Sequence, residues 1–303
     1  MAESIRISVV IPVHNEQDDV AKLAGLLKEV LGKSYEILFI DDGSTDATWH
    51  RLRAIHEPGR VRLLRFRRNF GKTAALMAGF GATRGAIVFT MDGDLQDDPH
   101  EIPRFLAGLD EGYDLVTGWK KTRHDPWHKV VASRFFNTVV RLTTGLSLHD
   151  INCGFKAYRG DLARSLDIYG EQHRFIPVLA AARGYRIGEI EVAHHARRHG
   201  RSKYGFSRLF KGFFDLVTVL LITRFAERPS HAFGFAALVF ALAAMLCSAG
   251  WLLFPSPWLL AKTAVLSIGA IVLLAAGWVA EVALHLAPRQ GRRASYLIEE
   301  QLD

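Results

Sequence analysis

The sequence predicts an α/β domain built on a mostly parallel sheet with helices on both faces, followed by two membrane-spanning helices. Three observations carry this. Apolar, largely β-branched runs at Ile5–Ile11, Tyr35–Ile40, Val61–Phe66 and Ala86–Met91 alternate with helical patterns, as parallel strands joined by crossover helices do. Each run stops at a polar or acidic loop, the place where open parallel sheets bind ligands. Two uncharged runs, Ala232–Phe254 and Thr263–Ala280, occupy the last quarter, and each can cross a hydrocarbon core of roughly 30 Å as a helix.

The first strand ends at Pro12. Val13-His14-Asn15-Glu16 then leads into a helix with apolar positions Val20, Leu23, Leu27, Val30 and Leu31. Such a loop holds a ligand or caps the helix. The second strand stops at Asp41-Asp42-Gly43-Ser44-Thr45-Asp46. There Ser44 or Thr45 is expected to cap a helix through His56, and Asp42 is placed to meet a base or ribose. After the third strand, Arg67-Arg68-Asn69-Phe70-Gly71-Lys72-Thr73 opens the helix Ala74–Ala82. Gly71-Lys72-Thr73 looks like the end of a P-loop, but Phe66 stands where that motif needs its first glycine, which excludes a P-loop NTPase. No clean G-x-G-x-x-G follows the first strand, which argues against a dinucleotide dehydrogenase. Lys72, near a helix N-terminus, either is solvated or faces a diphosphate.

The fourth strand delivers Asp92-Gly93-Asp94-Leu95-Gln96-Asp97-Asp98-Pro99. Taken alone, Asp92 and Asp94 are an acidic turn. Hard oxygen ligands also suit Mg²⁺ or Mn²⁺, and Mg²⁺ sites combine one or two carboxylates with substrate phosphates.

Leu115–Gly118 is a further strand, after which the chain turns basic with Lys120, Lys121, Arg123, Lys129, Arg134 and Arg141. Trp127–Leu142 has helical spacing, Asp150–Lys156 is a loop-to-strand passage, Glu171–Arg183 reads as a helix and Arg186–Val192 as a strand. His194–Tyr204 carries three histidines among four cations. Those cations repel a metal, so the stretch reads as a cationic loop that closes over phosphates. Phe206–Leu221 has the pattern of an amphipathic helix, lying in a membrane interface or packed on the catalytic domain. Arg224 and Arg228 precede the two apolar runs, Arg289, Arg292 and Arg293 follow them, and Lys262 lies between. By the positive-inside rule both termini are cytoplasmic and the Pro255 turn lies outside. Glu281 and His285 fall near the inner interface and receive no functional role.

Composition sets the outer limits. The chain has 303 residues, a formal net charge of +7 and two cysteines, Cys153 and Cys247. The excess charge implies an anionic partner, and two scattered cysteines exclude a disulfide scaffold. Met1–Arg6 lacks the basic-then-apolar pattern of a signal peptide. The expected organisation is a catalytic domain over 1–204, a juxtamembrane segment over 205–230, a transmembrane hairpin over 231–288 and a cytoplasmic tail over 289–303.

Together, Val9–Glu16, Asp41–Asp46, Met91–Pro99, Asn152-Cys153-Gly154-Phe155-Lys156 and Gly200-Arg201-Ser202-Lys203-Tyr204 resemble the family 2 glycosyltransferases of GT-A fold. Within them the resemblance is to the polyprenyl-phosphate hexosyltransferases, the dolichol-phosphate mannose synthase-like group. It implies a nucleotide-sugar donor, an undecaprenyl- or dolichyl-type phosphate acceptor, a divalent metal and an inner-membrane location, with no nucleic-acid partner. A homo-oligomer is compatible with it. It places Pro12, Asn15, Glu16 and Asp42 around the nucleoside, Asp92 against nucleotide and sugar, and Asp94 with Gln96 on the metal. Lys72 joins the donor site, and Arg197, Ser202 and Lys203 lie on the loop over the diphosphate. Lys120, Lys129, Ser133 and Arg134 fall where the family binds the acceptor phosphate. Lys120 and Lys129 stand where an archaeal relative carries arginine, and lysine keeps the charge without the bidentate fork.

Two other readings compete. A processive polysaccharide synthase would carry Q-x-x-R-W, and Gln172-His173-Arg174-Phe175 does not match it. A catalytically inactive membrane adaptor that binds anionic lipid would be favoured by loss of an acidic-loop carboxylate, yet Asp92 and Asp94 are both present.

Overall fold

The computed structural model describes residues 5–121, 137–195, 207–225, 228–286 and 296–303. Lys129, Ser133, Arg134, Arg197, Ser202 and Lys203 lie outside these residues. The expected alternation is present: β1 (Ile7–Val13), α1 (Val20–Val30), β2 (Tyr35–Asp41), α2 (Thr48–Ile55), β3 (Val61–Phe66), α3 (Lys72–Ala82) and β4 (Ile87–Thr90). α4 (Ile102–Asp110), β5 (Leu115–Trp119), a helix α5 over 137–144, β6 (Lys156–Arg159) and α6 (Gly160–Ser165) follow. The chain continues through α7 (Ile176–Ala182), β7 (Ile187–Glu191), α8 (Ser207–Arg224), α9 (Pro229–Leu253), α10 (Pro257–Leu286) and β8 (Ile298–Leu302).

Among the described residues, the strands form one sheet in the order β7-β5-β6-β4-β1-β2-β3-β8. β1 runs parallel to β2 and β4, β2 parallel to β3, and β5 parallel to β7. β6 is antiparallel to β4 and β5, and β8 is antiparallel to β3. All seven residues of β2 are buried, as a central strand covered on both faces requires. Val9, Ile11, Phe39, Leu63, Phe89, Phe105 and Phe155 are fully enclosed in one core. Val13 pairs with Asp41, and Val10 with Thr90. The loops after β1, β2 and β4 therefore leave the sheet along one edge.

Three local expectations are corrected. α2 begins at Thr48, and the Asp46 carboxylate accepts from Thr48 N at 2.9 Å; Ser44 and Thr45 instead bond to the loop after β1. The helix expected over Glu171–Arg183 is a 3-10 turn, Gln172–Phe175, followed by α7. Pro177 lies in the first turn of α7, where its missing N–H costs nothing. The expected tail over 289–303 contains β8, which belongs to the same sheet as the catalytic strands. Its sequence, Ile-Glu-Glu-Gln-Leu, offers only two apolar residues, too few to mark a strand by pattern.

The chain divides into two compact units, Met1–Leu216 with Arg292–Asp303, and Val217–Gly291. The second holds a membrane hairpin. Over Pro229–Leu253 and Pro257–Ala283 the mean hydropathy is 2.2 for each helix, and only 11% and 6% of their most apolar windows are buried. Phe235, Leu242, Leu246, Ile268, Val272 and Val279 point outward, as lipid-facing residues do. α9 and α10 approach closely at small residues: a side chain on Gly277 would meet Phe233 Cβ at 2.8 Å, and one on Gly269 would meet the Phe240 ring. Glu281 also has a visible partner, since its Oε2 accepts from Ser230 N at 3.2 Å and satisfies a donor at the start of α9.

Candidate active site

The site is built where β1, β2, β3 and β4 end. After β1, Asn15 adopts a left-handed backbone (φ 57°), a conformation that a non-glycine residue keeps only when its surroundings hold it. They do: Asn15 N donates to Ser44 Oγ at 2.9 Å, and Asn15 Oδ1 accepts from Thr45 N at 2.9 Å. Glu16 N donates to Thr48 Oγ1 at 2.9 Å. Asp41 accepts from Ser44 N at 2.9 Å. Asp42 turns the other way and accepts from Phe70 N at 2.6 Å and Gly71 N at 3.0 Å. Burial raises the pKa of both aspartates above the carboxylate norm, and these hydrogen bonds oppose it. The loops after β1, β2 and β3 are thus tied to one another, and Asp42 orders the turn that starts α3.

Lys72, at the start of α3, forms an ion pair with Asp92 Oδ1. Burial works against the charge on Asp92, but Lys72 and then Lys120 outweigh it and hold its carboxyl well below the usual range. Asp92 is an anion throughout the physiological range. Gly154 explains part of the Asn152–Lys156 motif, because a side chain there would lie 2.6 Å from Asp92 Oδ2. Only glycine lets the segment leading into β6 approach the acidic loop this closely.

Asp94 is buried, and its Oδ1 accepts from Gln96 N at 3.2 Å. Between them Leu95 adopts φ 57°, the chain's other left-handed non-glycine residue among those described. Gln96 turns its amide nitrogen to the His195 carbonyl at 3.3 Å, and His195 N donates to Gln96 O at 2.9 Å. Asp97 and His194 form an isolated antiparallel bridge. The acidic loop is therefore joined to the segment that leads into Arg197–Lys203. Among the described residues, no group of three His, Cys, Asp or Glu side chains is arranged to hold a metal ion by itself. A carboxylate and a side-chain amide, both hard oxygen donors, suit an ion that takes its remaining ligands from a diphosphate and water.

Lys120 pairs with the acidic loop. Its Nζ lies 2.6 Å from Asp97 Oδ1, largely buried. Burial opposes its charge, but Asp97, with Cys153 and Asp92, raises its pKa above the ordinary lysine value. Lys120 braces the underside of the acidic loop. His173 escaped the sequence reading as a site residue, and Thr73, Cys153 and Lys156 entered it only as members of motifs. Thr73 Oγ1 lies 2.8 Å from His173 Nδ1. Burial, with Lys72 and Arg174 nearby, pushes His173 well below its ordinary pKa, so the ring is neutral at pH 7. Lys156, which burial pushes down to about 8, donates to Cys153 O. The Cys153 thiol is pushed up to about 12 by burial, which excludes it as a nucleophile. Glu171-Gln172-His173-Arg174-Phe175 was the available signal, a cationic and acidic stretch unlike its apolar surroundings.

Residues 8–166 match the model of glycosyl transferase family 2. The dodecaprenyl-phosphate galacturonate synthase of Rhizobium johnstonii is 40% identical over 241 residues, 77% of this chain and 71% of that protein. The undecaprenyl-phosphate 4-deoxy-4-formamido-L-arabinose transferase of Edwardsiella ictaluri is 43% identical over 225 residues, 72% of this chain and 68% of that protein. The chain belongs to glycosyl transferase family 2. Among solved structures of the fold, glucosyl-3-phosphoglycerate synthase from Mycobacterium tuberculosis in complex with Mn²⁺, UDP-glucose and phosphoglyceric acid aligns with a TM-score of 0.57 at 22% identity. The alignment covers 72% of this chain and 79% of that one.

Proposed function

We propose that this family 2 enzyme transfers a sugar from a nucleotide sugar to a polyprenyl phosphate at the cytoplasmic face of a membrane, with inversion at the anomeric carbon. One observation carries the reading. The acidic loop with Asp92 and Asp94 stands beside the Lys72 end of α3 and the Asn15–Asp42 loops, in a chain that also holds a two-helix membrane hairpin. The names of two relatives, both polyprenyl-phosphate enzymes at 40% and 43% identity, favour the lipid acceptor.

In this reading Asn15, Glu16 and Asp42 receive the nucleoside, with Pro12 beneath them. Asp94 and Gln96 would hold Mg²⁺ or Mn²⁺, which when bound neutralises the leaving diphosphate. Lys72 faces the same charge from the N-terminus of α3, where backbone N–H groups also favour an anion. Asp92 holds Lys72 in place and accepts hydrogen bonds from the sugar. Arg197, Ser202 and Lys203 cover the diphosphate, while Lys129, Ser133 and Arg134 receive the acceptor phosphate. A lipid phosphate monoester is already an anion near pH 7, so its oxygen attacks without a general base. The neutral His173 is not needed to remove a proton.

The test is a transfer screen with full-length protein in liposomes that contain undecaprenyl phosphate, offered radiolabelled GDP-mannose, UDP-glucose, UDP-galacturonate and UDP-N-acetylhexosamines. Label entering the lipid phase from one donor, dependent on the lipid phosphate, supports the reading. Polymer longer than one sugar would favour a processive synthase, and lipid binding without transfer from any donor would favour an adaptor.

A further inference from the structure

The last strand of the chain reaches the donor site. β8 follows the membrane hairpin in sequence, yet it pairs with β3, the strand whose C-terminal end feeds the Arg67–Gly71 loop. Two separate routes run from this strand into the loops assigned to the nucleotide. The first is aromatic. Tyr296 stacks on Phe66 with centroids 5.0 Å apart and planes at 17°, and Phe66 meets Phe70 edge-on at 5.7 Å. Arg67 N donates to Leu297 O at 3.2 Å. The Phe70 and Gly71 N–H groups of the same loop are the donors that hold Asp42.

The second route is polar. The β3–β8 register slips between Arg65 and Phe66, so that Glu300 faces Arg65 and Ile298 faces Phe66. Glu299 is the extra residue of this bulge. Bulges next to functional sites re-aim side chains, and here Glu299 Oε2 lies 3.6 Å from Arg65 Nε. Arg65 Nε in turn lies 3.7 Å from Asp41 Oδ2. Asp41 accepts from Ser44 N, and Ser44 Oγ accepts from Asn15 N. The rest of the strand is fastened independently: Trp49 Nε1 donates to Glu300 Oε2 at 3.1 Å in its middle, and at its far end Arg62 Nη2 lies 2.6 Å from Asp303 Oδ1.

We propose that the strand after the membrane hairpin is a positioning element of the donor site, with Tyr296 and Glu299 holding the Phe66–Gly71 and Asp41–Ser44 loops in their nucleotide-binding arrangement. A strand that merely covered a sheet edge would need the ladder and the far-end contacts only. The aromatic stack and the bulge contact both point instead at the two loops that carry Asp42 and Asn15. Tyr296 contacts Phe66 and Glu299 contacts Arg65, so each acts on the loops through another residue. Each acts by limiting the conformations from which the loops must be recruited.

The inference rests on the reading of those loops as the nucleotide site, so the experiment separates the two. Full-length wild-type protein, Tyr296→Ala, Tyr296→Phe and Asp303→Asn are titrated calorimetrically with UDP, GDP and dTDP in the presence of Mn²⁺. Donor KM, lipid-acceptor KM and Tm are measured in parallel. Tyr296→Ala is expected to weaken nucleoside diphosphate binding and raise donor KM by about tenfold, while acceptor KM and Tm stay near wild type. Tyr296→Phe keeps the ring and should restore affinity. Asp303→Asn loosens only the far end and should leave affinity unchanged. Unaltered affinity in Tyr296→Ala overturns the proposal, as does an affinity loss that comes with equal losses in acceptor use and Tm. If wild-type protein binds none of the three diphosphates, the nucleotide-site reading fails and the proposal falls with it.

Discussion

Asp92 and Asp94 stand two residues apart on one loop and face different partners. Asp92 is paired with Lys72 and fixed as an anion, whereas Asp94 is turned inward beside Gln96. If Asp94 carries the metal, Asp94→Asn should reduce turnover at least ~100-fold, a few kcal/mol of lost charge stabilisation. EDTA should have a comparable effect on wild-type protein, and activity that survives both treatments would remove the assignment. Lys156 offers a pH test. Its folded pKa of about 8 lies below the ordinary 10.5 because it is buried. Below pH 8 both folded and unfolded chains carry the charge, and the folded state bears the burial penalty. Between about 8 and 10.5 the unfolded chain binds the extra proton, so stability should rise with pH. Lys156→Met should be the more stable at pH 7, and its advantage should shrink across that window in thermal melts. A constant difference would refute the buried charge. The positions of Asp42, Asp92 and Asp94 were legible in the sequence because each follows a strand end at the C-terminal edge of the sheet, and that of Lys72 because it opens the helix after β3. The Asp97 partner of Lys120 was not legible, since the charge of a lysine announces an anion without saying which one.

At the level of elements, the parallel strands were legible because burial on both faces leaves continuous apolar runs. β8 was not, because an edge strand needs backbone pairing more than apolar side chains. The 3-10 turn before α7 was also hidden, since its residues keep a helical spacing up to Pro177. The membrane helices were legible by length alone, but their contact was not. Gly277→Leu should destabilise the hairpin by about 1–3 kcal/mol through overpacking against Phe233 and Ser230. Gly234, which has open space around it, should accept alanine without such a loss. Detergent-solubilised thermal unfolding of the two variants would check this, and equal stability of both would show that the α9–α10 contact at Gly277 is not close.

On the scale of the whole molecule, the chain leaves the sheet after β7, forms a hairpin of two apolar helices and returns to the sheet as β8. In the proposed reading both ends of the hairpin lie on one side of the membrane, as two crossings allow. Simple truncation after Arg228 would remove β8 together with the anchor. Replacing 229–291 by a flexible Gly/Ser linker is the cleaner excision, because it spares residues 296–303. Such a protein should bind nucleoside diphosphate as the full chain does, transfer poorly to undecaprenyl phosphate in liposomes, and recover in part with a short-chain, water-soluble polyprenyl phosphate. In the proposed reading the anchor supplies effective concentration and leaves the chemistry to the catalytic domain. Equal transfer by both proteins in the same liposomes would reduce the hairpin to a tether.

The central claim is direct displacement of the donor's diphosphate by the lipid phosphate, with metal and cations on the leaving side and no covalent enzyme intermediate. The most direct measurement is the anomeric configuration of the sugar in the isolated lipid product, read by proton and carbon NMR after transfer from an α-linked nucleotide sugar. The account predicts a β-linked sugar phosphate. An α-linked product would contradict it, because in-line displacement by the lipid phosphate inverts the anomeric carbon.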